Sequence, residues 1–181
     1  MPEAERELDE AEAVALARRI EAGEDGIEVP AELIEEPEEQ KARPQSLYAQ
    51  ILGMTIGQKI KLAIRGNGDA RNILIRDTNK MIRRFVLQNP RITDTEVIAV
   101  TRNKNVDEEL LRIITERRDW MRKYQVRLGL STNPKAPLPV AIRQLVTLDE
   151  RDLRLIGRSK NVPQAIAAQA RRLLMTVKAP R

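Results

Sequence analysis

Cations recur in clusters from residue 83 onward: Arg83-Arg84, Arg117-Arg118, Arg122-Lys123, Arg151 with Arg154 and Arg158, and Arg171-Arg172. Set on one face, such groups would form a ladder able to neutralise phosphates or the carboxylates of an acidic partner. Spread over several faces, they would only solvate helices and lay their methylenes over apolar neighbours. The sequence leaves both arrangements open. Aromatic residues are 2% of the chain, so single-stranded bases would find few rings to stack on. Contact with nucleic acid would therefore run through the backbone, weaken steeply with salt and select weakly among sequences.

The carboxylates point to capping and ion pairing rather than acid–base chemistry. Asp107-Glu108-Glu109 and Asp149-Glu150 with Asp152 stand where helices are expected to begin, and acids there favour the helix dipole. Glu116 and Asp119 flank Arg117-Arg118. The chain has no His and no Cys, which removes the commonest general base, the commonest transition-metal ligand and the thiolate nucleophile. Its serines, Ser46, Ser131 and Ser159, lie outside any Gly-x-Ser-x-Gly elbow. Gly66-Asn67-Gly68 lacks the strand and the Gly-Lys-Ser/Thr of a phosphate loop. The expectation is a non-catalytic protein with no cofactor and no metal site. Trp120 and Tyr124, one helical turn apart, are expected to pack between helices.

The elements that must carry these residues are helical. Hydrophobic residues are 41% and charged residues 33% of the 181 residues, and the scarcity of aromatics disfavours a β fold. Asn105-Val106, Asn133-Pro134 and Asn161-Val162 recur 28 residues apart, and one further step back reaches Asp77. Apolar runs of helical spacing lead into and out of each phrase. Self-similarity at such a period is the signature of an α-solenoid. Helices are expected over 3–22, 47–52, 56–64, 69–76, 80–88, 97–102, 106–117, 119–130, 137–146, 150–157 and 163–177. Asp77 or Thr78 would cap the fifth, Thr93 with Glu96 would form a capping box, and Gly23 would end the first.

The net charge of +5 conceals an asymmetry. Residues 1–43 hold 15 Asp/Glu against five Lys/Arg, net −10, so the remainder carries +15. Gly23, Gly26, Pro30, Pro37 and Pro44 interrupt the acidic stretch. The expected organisation is an acidic arm over 1–45, partly helical and largely disordered, a helical-repeat domain over 46–176 and a frayed basic tail over 177–181. A tethered arm of that charge would mask the basic domain or keep it soluble. No basic-then-apolar leader and no apolar run near 18 residues is present, so a cytoplasmic chain with no membrane contact is expected.

The runs Lys61-Leu62-Ala63-Ile64-Arg65-Gly66-Asn67, Ala70-Arg71-Asn72-Ile73-Leu74-Ile75-Arg76-Asp77, Val86-Leu87-Gln88-Asn89-Pro90-Arg91-Ile92-Thr93 and Ser159-Lys160-Asn161-Val162-Pro163 resemble those of a conserved bacterial family of unknown function. The repeat resembles HEAT-like and leucine-rich-repeat-variant proteins over about residues 47–175. That resemblance implies a right-handed α-solenoid and no particular activity. The expected role is a protein-interaction or scaffold module with an acidic protein partner. The alternative is backbone-directed nucleic-acid binding, with Arg83, Arg84, Arg117, Arg118, Arg122, Lys123, Arg154, Arg158, Arg171 and Arg172 as the binding face in either case.

Overall fold

The computed structural model describes residues 8–36 and 45–178. Among the described residues there are twelve α-helices, one 3₁₀ turn at Ala31–Leu33 and no strand, so the chain is all-α. It divides into two compact units, Met1–Ile92 and Thr93–Arg181. The division falls at the Ile92–Thr93 joint, not near residue 46 where the change in composition would place it.

The first unit contains α1 (Glu10–Ala22), α2 (Gln45–Leu52), α3 (Ile56–Arg65), α4 (Gly68–Leu74) and α5 (Lys80–Val86). α1 starts at a capping box of Asp9 and Glu12 and stops at Gly23, whose φ of 79° is the left-handed cap that glycine takes without strain. The part of the expected first helix before residue 8 lies outside the described residues. α3 starts at a second capping box, Thr55 with Gln58. α1 packs against α3 and α5, with Ala13, Ala17 and Ile20 in the core, and Leu33 of the 3₁₀ turn is fully buried. α5 is capped by Asn79, whose Oδ1 accepts from the Met81 amide. Asp77, expected in that role, instead accepts from the Asn79 amide.

The expectation of a largely disordered acidic arm is therefore corrected over residues 8–36. Composition favoured disorder, but the acids meet specific cations far away in sequence. Glu10 pairs with Arg84 at 2.7 Å, Asp25 with Lys61 at 2.7 Å and Glu36 with Arg71 at 2.9 Å. The Asn67 amide N–H donates to Leu33 O, and Gln58 and Arg65 donate to Glu28 O and Glu21 O. Residues 44–92 hold nine Lys/Arg and two Asp/Glu, so the arm neutralises its own unit, which totals −3. The second unit keeps 18 Lys/Arg against 10 Asp/Glu, net +8.

The charge pairs give the arm a pH dependence. The Lys61 hydrogen bond, acting against burial, holds the Asp25 carboxyl below its ordinary value of 3.8. Burial pushes the Glu36 carboxyl up, but the Gly68 amide and the Arg71 guanidinium together bring it below 4.5. A carboxyl with a depressed folded pKa adds stability that is present above its unfolded value and is lost as pH falls through the folded one. Hydrogen exchange should accordingly show the amides of residues 25–36 losing protection below about pH 4. Asp25→Asn should flatten that acid response, and unchanged protection at acid pH would show that the pairs do not hold the arm.

The second unit contains α6 (Asp94–Arg102), α7 (Glu108–Glu116), α8 (Arg118–Met121), α9 (Tyr124–Thr132), α10 (Leu138–Leu145), α11 (Glu150–Arg158) and α12 (Gln164–Lys178). The Thr93–Glu96 capping box opens α6 as expected. The single helix expected over 119–130 is instead two, because Lys123 takes an extended backbone (φ −76°, ψ 121°) and its ammonium pairs with Asp94 at 2.6 Å. α6 packs on α9, α9 on α10, and α10 and α11 on α12. The α6–α9 approach is close because Gly129 has no side chain: a Cβ there would stand 2.2 Å from Thr101 Oγ1. Trp120 is buried, as its expected place between helices requires.

Candidate interaction site

Three buried asparagines tie successive helix ends together. The last carbonyls of a helix have no partner within it and need donors from elsewhere. Asn67 Nδ2 donates to Glu32 O and Glu35 O at 2.8 and 2.9 Å. Asn89 Nδ2 donates to Ala63 O and Gly66 O at the end of α3, at 3.0 and 3.2 Å. Asn133 Nδ2 donates to Thr101 O and Asn103 O at the end of α6, at 2.7 and 2.9 Å. In each case Oδ1 accepts from an amide just downstream, that of Ala70, Arg91 or Lys135. A side-chain amide suits this place because it offers two donors and an acceptor in one plane.

These clamps do not fall on every asparagine phrase of the sequence. Asn133 is one of them, but Asn105 and Asn161 are not its equivalents. Asn105 donates its backbone amide to Asn103 Oδ1, and Asn161 donates its own to Ser159 Oγ. The position that follows α11 as Asn133 follows α9 is thus Ser159. A hydroxyl can close the local turn but cannot span to the previous helix, and neither Ser159 Oγ nor Asn161 Nδ2 donates a hydrogen bond among the described residues.

α9 and α11 are joined at their starts by Tyr124, whose hydroxyl donates to the Asp152 carboxylate and accepts from the Asp149 amide. Burial first, and Asp152 second, push the Tyr124 phenol above 10.0, so it stays the donor at neutral pH. Towards their ends the two helices border a cleft of roughly 390 Å³. Leu128, Leu155, Ile156 and Val162 line it with aliphatic surface; Thr132, Asn133, Ser159 and Asn161 line its polar end, and Arg102 and Lys104 its basic edge. Leu155 is 60% exposed, whereas its neighbours Leu153 and Ile156 are buried.

The expected basic residues fall into local groups. Arg154, Arg158 and Arg171 border one cleft of roughly 280 Å³ with Leu174 and Met175. Arg154 is paired with Glu150, Arg171 donates to Gly157 O at 2.6 Å, and Arg158 is exposed. Arg172 is exposed on α12 but does not border that cleft. Arg117 lies 4.7 Å over the Trp120 ring. Arg118 and Arg122 are exposed around α8, the latter 3.9 Å from Asp119, a solvated pair of little energetic weight. Lys123 is held by Asp94. Arg83 and Arg84 belong to the first unit, where Arg84 is engaged by Glu10.

The α9–α11 cleft, and with it Arg102, Lys104, Leu155 and Ser159, is not among the sites expected from the sequence. One signal was available: Leu155 is an aliphatic residue on the polar side of an otherwise sharply amphipathic helix. The first unit has a cleft of its own, between Ile34, Ile64, Pro90 and the stems of Arg65 and Arg91. There Arg91 donates to Arg65 O and Arg65 to Glu21 O, and the acid Glu21 is itself among the lining residues. Among the described residues no three carboxylates gather to hold a metal ion, and no helix is long and apolar enough to cross a membrane. No family model, no curated protein and no solved structure matches this chain.

Proposed function

We propose that the chain is a non-catalytic protein-interaction module whose second unit offers a basic, partly aliphatic surface to an acidic protein partner. The observation that carries this reading is the α9–α11 cleft, aliphatic in lining and edged by Arg102 and Lys104, within a unit of net charge +8. Complementary charge steers and orients such a partner, while the desolvated aliphatic groups hold it. The proposed architecture is a right-handed HEAT-like solenoid built from helix pairs. In support, α6, α9 and α11 begin 30 and 26 residues apart, averaging the 28 of the asparagine phrases.

A second reading, backbone-directed nucleic-acid binding, is favoured by Arg154, Arg158 and Arg171 around one cleft. The two readings separate by titrating the full chain with a glutamate–leucine copolymer and with a DNA duplex, at salt from about 50 to 200 mM. The interaction reading expects the copolymer to bind, and to bind more weakly to Leu155→Glu. Tight duplex binding with a steep salt slope, lost in Arg154→Glu/Arg158→Glu but not in Leu155→Glu, would put nucleic acid first. Binding of neither probe would remove both readings.

A further inference from the structure

We infer that the slot between the ends of α9 and α11 receives an acidic, aliphatic peptide segment, and that it is open because Ser159 stands where the preceding clamps carry asparagine. The inference rests on the protein-interaction reading and adds the place and the chemistry of the partner. Asn133 takes the carbonyls at the end of α6; at the end of α9 the Thr132 hydroxyl donates to Leu128 O and Gly129 O, and among the described residues no side chain from the α11 end donates to that turn. A carbonyl at a helix end is a strong acceptor facing the negative pole of its helix, so it seeks a donor. Backbone amides of an added segment supply such donors in the place of the missing side-chain amide.

The first unit shows what kind of segment suits this framework. There residues 24–36 lie against the helices: Asp25 pairs with Lys61, Ile27 lies against Gly57, Leu33 is fully buried, and Glu36 pairs with Arg71. Carboxylates and aliphatic side chains are interspersed, and the segment's carbonyls accept from the backbone amide and the side-chain amide of Asn67. The second unit has the counterparts without the segment. Arg102 and Lys104 match its carboxylates, and Leu155, Ile156 and Val162 match its aliphatic residues. Arg102 donates to the neutral Gln125, so its charge is not cancelled there. Asp152, the one acid in the cleft, is occupied by the Tyr124 hydroxyl.

The test uses the full chain and a labelled peptide with the sequence of residues 24–36, Glu-Asp-Gly-Ile-Glu-Val-Pro-Ala-Glu-Leu-Ile-Glu-Glu, as the probe. Wild type should bind it, and Ser159→Asn should both raise the thermal midpoint and weaken binding about tenfold or more, since the new amide closes the slot. Leu155→Glu, on an exposed position where folding is not at stake, should weaken binding by a similar factor. Arg154→Glu, outside the slot, should bind as wild type does. No binding by wild type up to about 1 mM peptide overturns the inference, as does equal binding by Leu155→Glu. Should Ser159→Asn fail to fold, Leu155→Glu decides alone. If the copolymer binds but neither variant affects the peptide, the interaction reading stands and this assignment of the slot falls. If Leu155→Glu releases a DNA duplex rather than the peptide, the occupant is nucleic acid and the assignment falls as well.

Discussion

Replacing Leu33 by alanine should destabilise the first unit by about 3 kcal/mol, a size reserved for well-buried core side chains. Leu33 lies in a stretch whose acids, glycines and prolines read as linker, and a substitution in a solvated linker costs less than about 0.5 kcal/mol. The difference decides what residues 8–36 are. Leu33 is fully buried, its carbonyl accepts from the Asn67 amide, and the carbonyls of Glu32 and Glu35 on either side of it are clamped by Asn67 Nδ2. Removing a methine and two methyl groups there opens a cavity that clamped backbone cannot close. The measurement is hydrogen exchange of the α3 amides in Leu33→Ala against wild type, with Glu10→Gln as the control. Glu10 sits in an exposed pair with Arg84, its side chain 67% accessible, and its loss should be small. Unchanged α3 protection in Leu33→Ala would show the segment to be a displaceable flap. The expected result shows instead that the acidic stretch is part of the first unit's core, and that its deletion would unfold that unit rather than unmask a basic face.

Asn133→Ala should cost the second unit about 3 kcal/mol, while Asn161→Ala should cost less than about 0.5 kcal/mol. The two residues look alike in the sequence, each opening an Asn-Pro/Val phrase 28 residues apart. Asn133 is buried and makes three hydrogen bonds, two of them to the end of α6 and one from the Lys135 amide. Its removal strands the buried Thr101 carbonyl, and an unsatisfied buried polar group costs about 1–3 kcal/mol. Asn161 is exposed and its side chain donates nothing, so its loss is absorbed by water. Asn133→Asp sharpens the test: an ionised carboxylate has no donor and faces two carbonyl oxygens, so it should be worse than alanine at neutral pH. Acid should partly rescue it, because a protonated carboxyl again has one proton to give. Urea unfolding followed by Trp120, buried in the second unit, reads all three variants. Equal losses for Asn133→Ala and Asn161→Ala would restore the phase that the sequence suggests.

The parts of this protein legible in its sequence are those decided within a few residues. The helices follow from apolar spacing. The Thr93–Glu96 box and the left-handed Gly23 are local hydrogen-bond and backbone choices, which is why both stand where the residues place them. The cation clusters are legible as composition, and Arg154 and Arg158 as neighbours one turn apart. What tertiary structure decided are the pairings across long separations. Asp25 finds Lys61, Glu36 finds Arg71 and Glu10 finds Arg84, so a stretch with the composition of a disordered arm is folded. The asparagines that clamp helix ends are told from those that merely close turns only by which carbonyls lie beside them. A missing clamp has no mark of its own in a sequence: Ser159 is an ordinary helix-end residue until α9 is set beside it, and only then does its short hydroxyl leave a slot between two helices.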